Sequence, residues 1–394
     1  MGQTLLVLTC CIAAGLLSGK AIAQQQLAEC SVSGTPQAVT QQQTRIIKTV
    51  DYIQWQIRTG KLDDAEAMAR KWIAPNPTSS GLQAALGEVL YQKSEMASAL
   101  EAFNQALRLD PCKALAHYYA WRFFALTGQQ QQLGDQQLSF AHQLSSGDAQ
   151  IQSTWKAVQA ARAFAAQPDA PTVNTINPPL LGFFAKTLNC NGIPIRSSRA
   201  VDSTAILLAC MKIRTMLANI PAARKNLVSN HAELHIIGDR EGTSDLPENR
   251  NYKHDTYVDA QGENTNMDQR TRGVGGLLAS CGEENLLHLP YDRYANGSDT
   301  CTHEFAHDIM ENGFTQKQRS EIEWQYHSSL GKGLWKGSYA AVNAKEYWAE
   351  LSMWYFGAHG NFVPNGLSTA GPEALRAYDP GAFALVDRLY AGRK

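Results

Sequence analysis

His303-Glu304-Phe305-Ala306-His307 sets two imidazoles four residues apart, with a carboxylate directly after the first. On an α-helix, positions i and i+4 share a face, so both rings can address one metal ion while Glu304 reaches a water held by that ion. Zinc suits this donor set, and the chemistry it supports is hydrolysis of a peptide bond. Histidines at this spacing also occur in helices where they only cap or pack, so the flanking residues must decide. Ser298, Asp299 and Thr300 offer N-cap oxygens before the motif, and Gly313 offers a stop after it. The pattern predicts a helix of about three turns. His303, Ala306, His307 and Met310 fall along one face of it, as the wall of a cleft requires.

Catalytic zinc takes three protein ligands and leaves a fourth position open. The spacing H-E-x-x-H-x-x-G-x-x-H is excluded, because Met310 and Gly313 stand where its glycine and third histidine would be. The downstream donors are Glu321, Glu323, His327, Glu346 and Glu350. Glu346 and Glu350 make the best segment. They lie at i and i+4 on a helix read over residues 343–356 and otherwise rich in Tyr, Trp, Ala, Leu and Met, where a carboxylate is costly unless paired or bound to metal. His327 is the next choice, on a more polar segment.

These segments resemble the catalytic domain of anthrax toxin lethal factor and of the secreted lethal-factor-like metallopeptidases. The resemblance is carried by His303 to His307 and by Tyr339-x-x-x-Asn343-x-x-Glu346-x-x-Ala349-Glu350. Upstream, Arg270-Thr271-Arg272-Gly273-Val274-Gly275-Gly276 and Glu283-Glu284-Asn285-Leu286-Leu287 are similar to stretches of the secreted members. It covers roughly residues 234–356. It implies a zincin-type fold of the gluzincin kind, one catalytic zinc held by His303, His307 and Glu346, and Glu304 as general base. It implies also that Tyr339 lies in the cleft, where its hydroxyl would serve a developing oxyanion. Asn343 and Glu350 would orient a ligand through hydrogen bonds. Asp308 is a further neighbour of the ligands, read more simply as a surface charge. Arg270 and Arg272 either salt-bridge within the upper lobe or grip a substrate carboxylate, and the structural role is expected. His231, His235, His254 and His288 have no ligand spacing and read as surface or core groups.

The elements that must position this centre belong to a chain of 394 residues, long enough for two domains or three. Its formal net charge of −1 provides no basic field for nucleic acid or an anionic membrane surface. An uncharged apolar run over residues 5–17, then Ala21-Ile22-Ala23, reads as a signal peptide cut after Ala23, so the protein is expected to be secreted or periplasmic. The run is shorter than the roughly 20 residues that span a bilayer, and no later segment is apolar enough to cross one. The mature chain keeps Cys30, Cys112, Cys190, Cys210, Cys281 and Cys301, enough for three disulfides in an oxidising compartment. Cys190 with Cys210 and Cys281 with Cys301 are the expected pairs.

A polar Gln-rich segment, 24–43, precedes helices read over 44–166. Leu86-Gly87, Leu90, Ala99, Phe103, Ala106 and Pro111 fall at the offsets of a 34-residue helix-turn-helix unit. This resembles a tetratricopeptide repeat, implying a short all-α solenoid whose groove either holds a protein partner or supports the next domain. Prolines mark a linker over 167–179. Residues 180–394 then read as the metallopeptidase domain, α+β, with a helix near 204–217, short strands at Leu234-His235-Ile236-Ile237 and Asn285-Leu286-Leu287-His288-Leu289, and the two site helices. The expected function is zinc-dependent hydrolysis of a protein or peptide substrate. The alternative is an inactive zincin-fold scaffold acting through its repeats, against which the intact Glu304 argues.

Overall fold

Short loops join the Ala-, Leu- and Gln-rich N-terminal helices, and helices adjacent in sequence pack on one another. A computed structural model describes residue 30 and residues 40–127, 131–258, 262, 264–294, 296–360, 362–364 and 370–393. The signal-peptide reading and most of the Gln-rich segment lie outside the described residues. Two compact units divide the chain between Trp155 and Lys156. The first contains α1 (Gln41–Arg58), α2 (Leu62–Ile73), α3 (Ser80–Gln92), α4 (Met96–Leu109), α5 (Ala114–Thr127) and α6 (Gln131–Leu144), and the division falls inside α7 (Ala149–Ala165). Helix starts at Leu62 and Met96, and at Ser80 and Ala114, lie 34 residues apart. In α4 the buried set is Ala99, Ala102, Phe103 and Ala106, the i, i+3, i+4, i+7 stripe of a helix with one packed face. Gly87 is where α3 and α4 come closest: a Cβ there would stand 2.6 Å from the Phe103 ring. That ring in turn stacks on Tyr119, centroids 4.8 Å apart. A disulfide joins Cys30 to Cys112.

The second unit is α+β. Its sheet runs β1 (Asn174–Leu180), β2 (Phe184–Cys190), β3 (Ile193–Ser197), β4 (Glu233–Ile237), β8 (Leu278–Gly282) and β7 (Gly273–Val274) in spatial order. β3, β4 and β8 are parallel neighbours, whereas β1–β2, β2–β3 and β7–β8 pair antiparallel. Ile193, Ile195, Leu234, Ile236, Ala279 and Cys281 are all buried in its centre. The β3–β4 crossover carries α8 (Ser203–Leu217), capped by Asp202, and α9 (Pro221–Ser229). A separate hairpin, β5 (Thr256–Val258) and β6 (Asn264–Asn266), leads into the short α10 (Met267–Arg270). After β8 come α11 (Glu283–Leu286), α12 (Thr300–Asp308), α13 (Gln316–Gly331), α14 (Ala344–Tyr355), α15 (Pro372–Tyr378) and α16 (Pro380–Tyr390).

Three expectations need correction. The stretch 167–179 is not a plain linker: Asn174 onward forms β1, whose prolines fit because it is an edge strand and its missing N–H groups leave no ladder partner short. Asn285 to Leu289 is not a strand. Glu283–Leu286 makes a helical turn whose residues are all buried, the case in which an apolar run fails to distinguish strand from helix. Cys281 and Cys301 are adjacent, hydrogen-bonded buried thiols and not a disulfide. Burial pushes the Cys281 thiol up, which makes the thiolate that would form the bond scarce. The other expected pair, Cys190–Cys210, is bonded and ties β2 to α8. Among the described residues no helix is long and apolar enough to cross a membrane.

Candidate metal centre

The start of α12 is fixed by two side chains acting on neighbouring residues. Asp299 caps it, accepting from Thr302 N at 3.1 Å and Thr302 Oγ1 at 2.7 Å. Asn285 Oδ1 accepts from Thr300 N at 3.0 Å and Thr300 Oγ1 at 3.1 Å, while its amide donates to Asp292 Oδ2 at 2.8 Å and to the Ser298 carbonyl at 3.0 Å. Lys212 of α8 reaches Asp299 Oδ2 at 2.5 Å. The helix then passes into a π-helical turn, Ile309–Gly313, ahead of Phe314. α14 is started by Asn343, whose Oδ1 accepts from the Lys345 and Glu346 N–H groups, both at 2.9 Å. Trp348 locks the two helices together by donating from Nε1 to the Ala306 carbonyl at 3.0 Å.

This crossing brings His303, His307 and Glu346 together. Their donor atoms lie within 4.8 Å of one another, and no other His, Cys, Asp or Glu group among the described residues converges so. His303 Nε2 lies 3.2 Å from His307 Nε2 and 3.0 Å from Glu346 Oε2, and His307 Nε2 lies 3.3 Å from the same oxygen. Zinc–ligand bonds of about 2.0–2.2 Å in tetrahedral array require ligand atoms to stand about 3.3–3.5 Å apart. The three observed edges are within a few tenths of an ångström of one such face, so the residues fit the ion. Glu350 Oε1 stands 3.4 Å from His303 Nδ1, on the far side of the ring from the shared point.

The local potential agrees with a cation at that point. Burial alone would lower the His303 pKa, but Glu346 and Glu350 outweigh it and raise it to about 10. Burial likewise would raise Glu346, yet the two histidines hold it at about 2. Glu304 is raised by burial, partly offset by the same histidines. Burial thus makes the Glu304 carboxylate a stronger proton acceptor than one in water.

The three ligand residues, Glu304, Glu350 and Tyr339 all line one cavity of about 1160 Å³. The half-exposed Tyr339 ring stacks at 6.0 Å from that of His303. Its phenol is raised by burial and by Glu346, whereas Arg270 lowers it. The strand above the centre presses on it closely. A Cβ on Gly273 would stand 2.8 Å from Glu304 Cγ, and one on Gly275 would stand 2.8 Å from His307 Cβ and Cδ2.

Other expected residues fall elsewhere. His327 is exposed on α13 beside Glu323, and Glu321 pairs with Arg388, so neither competes for the third position. Asn343 acts on the backbone of Glu346 as a helix cap and makes no hydrogen bond to a ligand side chain. Asp308 is not a surface charge. It is fully buried, accepts from Asn312 at 2.8 Å, and burial raises it to about 7. Arg272 has the expected structural role: it forks onto Glu284 at 2.6 and 2.8 Å and donates to the Gly238 and Glu241 carbonyls. His235 is a buried core group between Glu248 and Glu233, at 2.5 and 3.0 Å. Gly273 in β7 and Gly275 just after it had no role as close-approach positions in the sequence reading, although glycine in or beside a strand signals such contact. That reading also missed His254, Tyr252, Tyr257, Tyr294 and Phe362 in the cavity wall. They lie on loops and a hairpin that no periodicity marks. The chain matches no family model and no curated protein.

Proposed function

We propose that this chain is an exported zinc-dependent metallopeptidase of the gluzincin kind, with a tetratricopeptide-like helical region ahead of a zincin-like catalytic unit related to lethal-factor-type enzymes. The observation that carries the reading is the meeting of His303 Nε2, His307 Nε2 and Glu346 Oε2 within a few tenths of an ångström of tetrahedral edge lengths, in a cavity that Glu304 also lines. A zinc ion held there would polarise the scissile carbonyl and acidify a water. Glu304 would take the proton and return it to the leaving amine, helped by burial that raises its affinity for protons. Tyr339 stacks beside His303 with its phenol near Glu346, and its hydroxyl would serve an oxyanion on the substrate. Glu350, at His303 Nδ1, fixes the ring and its tautomer. Export is supported by the apolar N-terminal run and by the Cys30–Cys112 and Cys190–Cys210 disulfides.

Zinc content and cleavage of a diverse peptide library, compared between wild type and Glu304→Gln, test this. The variant is expected to keep its zinc and to lose at least about a hundredfold in kcat. Equal cleavage by both proteins would sink the assignment of Glu304, and a zinc-free wild type would sink the centre itself.

A further inference from the structure

The chemistry assigned to the cleft leaves Arg270 and Asp255 of its wall without a role, and Arg270 carries the positive charge. We propose that Arg270 is the specificity determinant of the cleft and grips a carboxylate of the bound peptide, an inference that rests on the metallopeptidase reading above.

The backbone that carries Arg270 is held from several directions. Asp268 accepts from the Ser244 N–H and hydroxyl, both at 2.7 Å. Arg293 donates to the Gln269 carbonyl at 2.6 Å and the Asp268 carbonyl at 2.8 Å, and Thr243 Oγ1 donates to the Thr271 carbonyl at 2.6 Å. Two residues on, the Arg272 guanidinium is engaged by Glu284 and by backbone carbonyls. Arg270 is the exception in this run. It is exposed at the cavity that Glu304 and Tyr339 line, and its guanidinium has no hydrogen bond or ion pair among the described residues. Its charge acts on the Tyr339 phenol, which stacks over His303. Glu346 and Glu350, the acids that could quench it across the cleft, are turned to the histidines, and Asp255 lines the same cavity without pairing to it.

A planar fork of N–H donors on a fixed backbone matches a carboxylate in two parallel hydrogen bonds. Two parts of a peptide present that anion: an Asp or Glu side chain near the scissile bond, and the terminal carboxylate. Both would be held by the same contact.

The test measures kcat and KM on matched peptides that carry Asp or Glu against Asn or Gln, each as free acid and as C-terminal amide. Wild type, Arg270→Gln, Arg270→Lys and Arg270→Glu are compared, with zinc content as control. The affinity of Glu304→Gln for the same peptides, with and without Arg270→Gln, reads binding apart from cleavage. Acidic peptides are expected to be preferred by about 10- to 100-fold, mostly in KM, as a charge-assisted hydrogen bond supplies. Arg270→Gln removes the preference at unchanged zinc content, Arg270→Lys keeps part of it, and Arg270→Glu favours basic peptides. A preference that survives amidation identifies the side chain, and one that vanishes identifies the terminus.

Cleavage by wild type without a preference, a preference that Arg270→Gln retains, or zinc loss in Arg270→Gln overturns the inference while leaving the metallopeptidase reading standing. Absent cleavage combined with Arg270-dependent binding of acidic peptides supports the carboxylate grip and overturns hydrolysis. Absent cleavage and indifferent binding overturn both.

Discussion

At the scale of single residues, the candidate centre depends as much on atoms that are missing as on the donor atoms that converge. Gly275 has no Cβ, and one placed there would collide with His307. Gly275→Ala is therefore expected to weaken zinc binding by about tenfold or more, the loss typical when a ligand's orientation is disturbed. Competition with a chromophoric chelator measures it. Gly331→Ala, where a Cβ meets nothing within 4 Å, serves as the control and should leave zinc affinity unchanged. The three residues that converge were among the candidates the sequence offered, because helical period fixes the geometry of His303 and His307, and a carboxylate pair on an apolar helix made Glu346 and Glu350 the best segment. Asn343 was legible as a polar residue in the right segment but not as a cap, since its role depends on where α14 begins. The glycines were not assigned a purpose, because only the approach of β7 to α12 gives them one.

Among the elements, α12 and α14 follow from cap residues and period. Ser203–Leu217 and Glu233–Ile237 also fall close to where their patterns put them. Asn285 to Leu289 did not, because consecutive residues from Glu283 to Leu287 are buried whatever their polarity, so no alternation survives. The α11 turn has a titration of its own. Burial raises Asp292, which accepts from the Asn285 amide and the Tyr294 N–H, to about 6. An unfolded aspartate titrates near 3.9, so between about pH 4 and 6 the folded state binds the extra proton. This group therefore makes stability fall as pH rises through that window, the reverse of an ion-paired aspartate. Urea midpoints of wild type and Asp292→Asn across pH 4–7 are expected to show the variant with the shallower decline in this window. Parallel curves would refute the assignment.

For the whole molecule, the division into a helical unit and an α+β unit was visible in composition and period, but its position was not. Helix α7 runs through the boundary between Trp155 and Lys156, and residues 174–179 of the proline-rich stretch belong to the edge strand β1. Cys190 and Cys210 pair as expected, but Cys281 and Cys301, at the same spacing, do not, so spacing alone does not decide pairing. Local spacing could not foresee Cys30 with Cys112, 82 apart, which depends on tertiary approach. Replacing Cys190 and Cys210 together by Ala is expected to cost about 3 kcal/mol of stability, as the loop length suggests. Denaturant midpoints at unchanged slope check it. The fully occupied amide of Asn285 has a consequence on an evolutionary scale. Its carbonyl accepts twice and its NH2 donates twice, a pattern no other side chain of that size reproduces. Descendants of this sequence that retain the centre should thus drift freely at Glu323 and His327 on the open face of α13, while Asn285, far from any ligand role, stays as constant as His303.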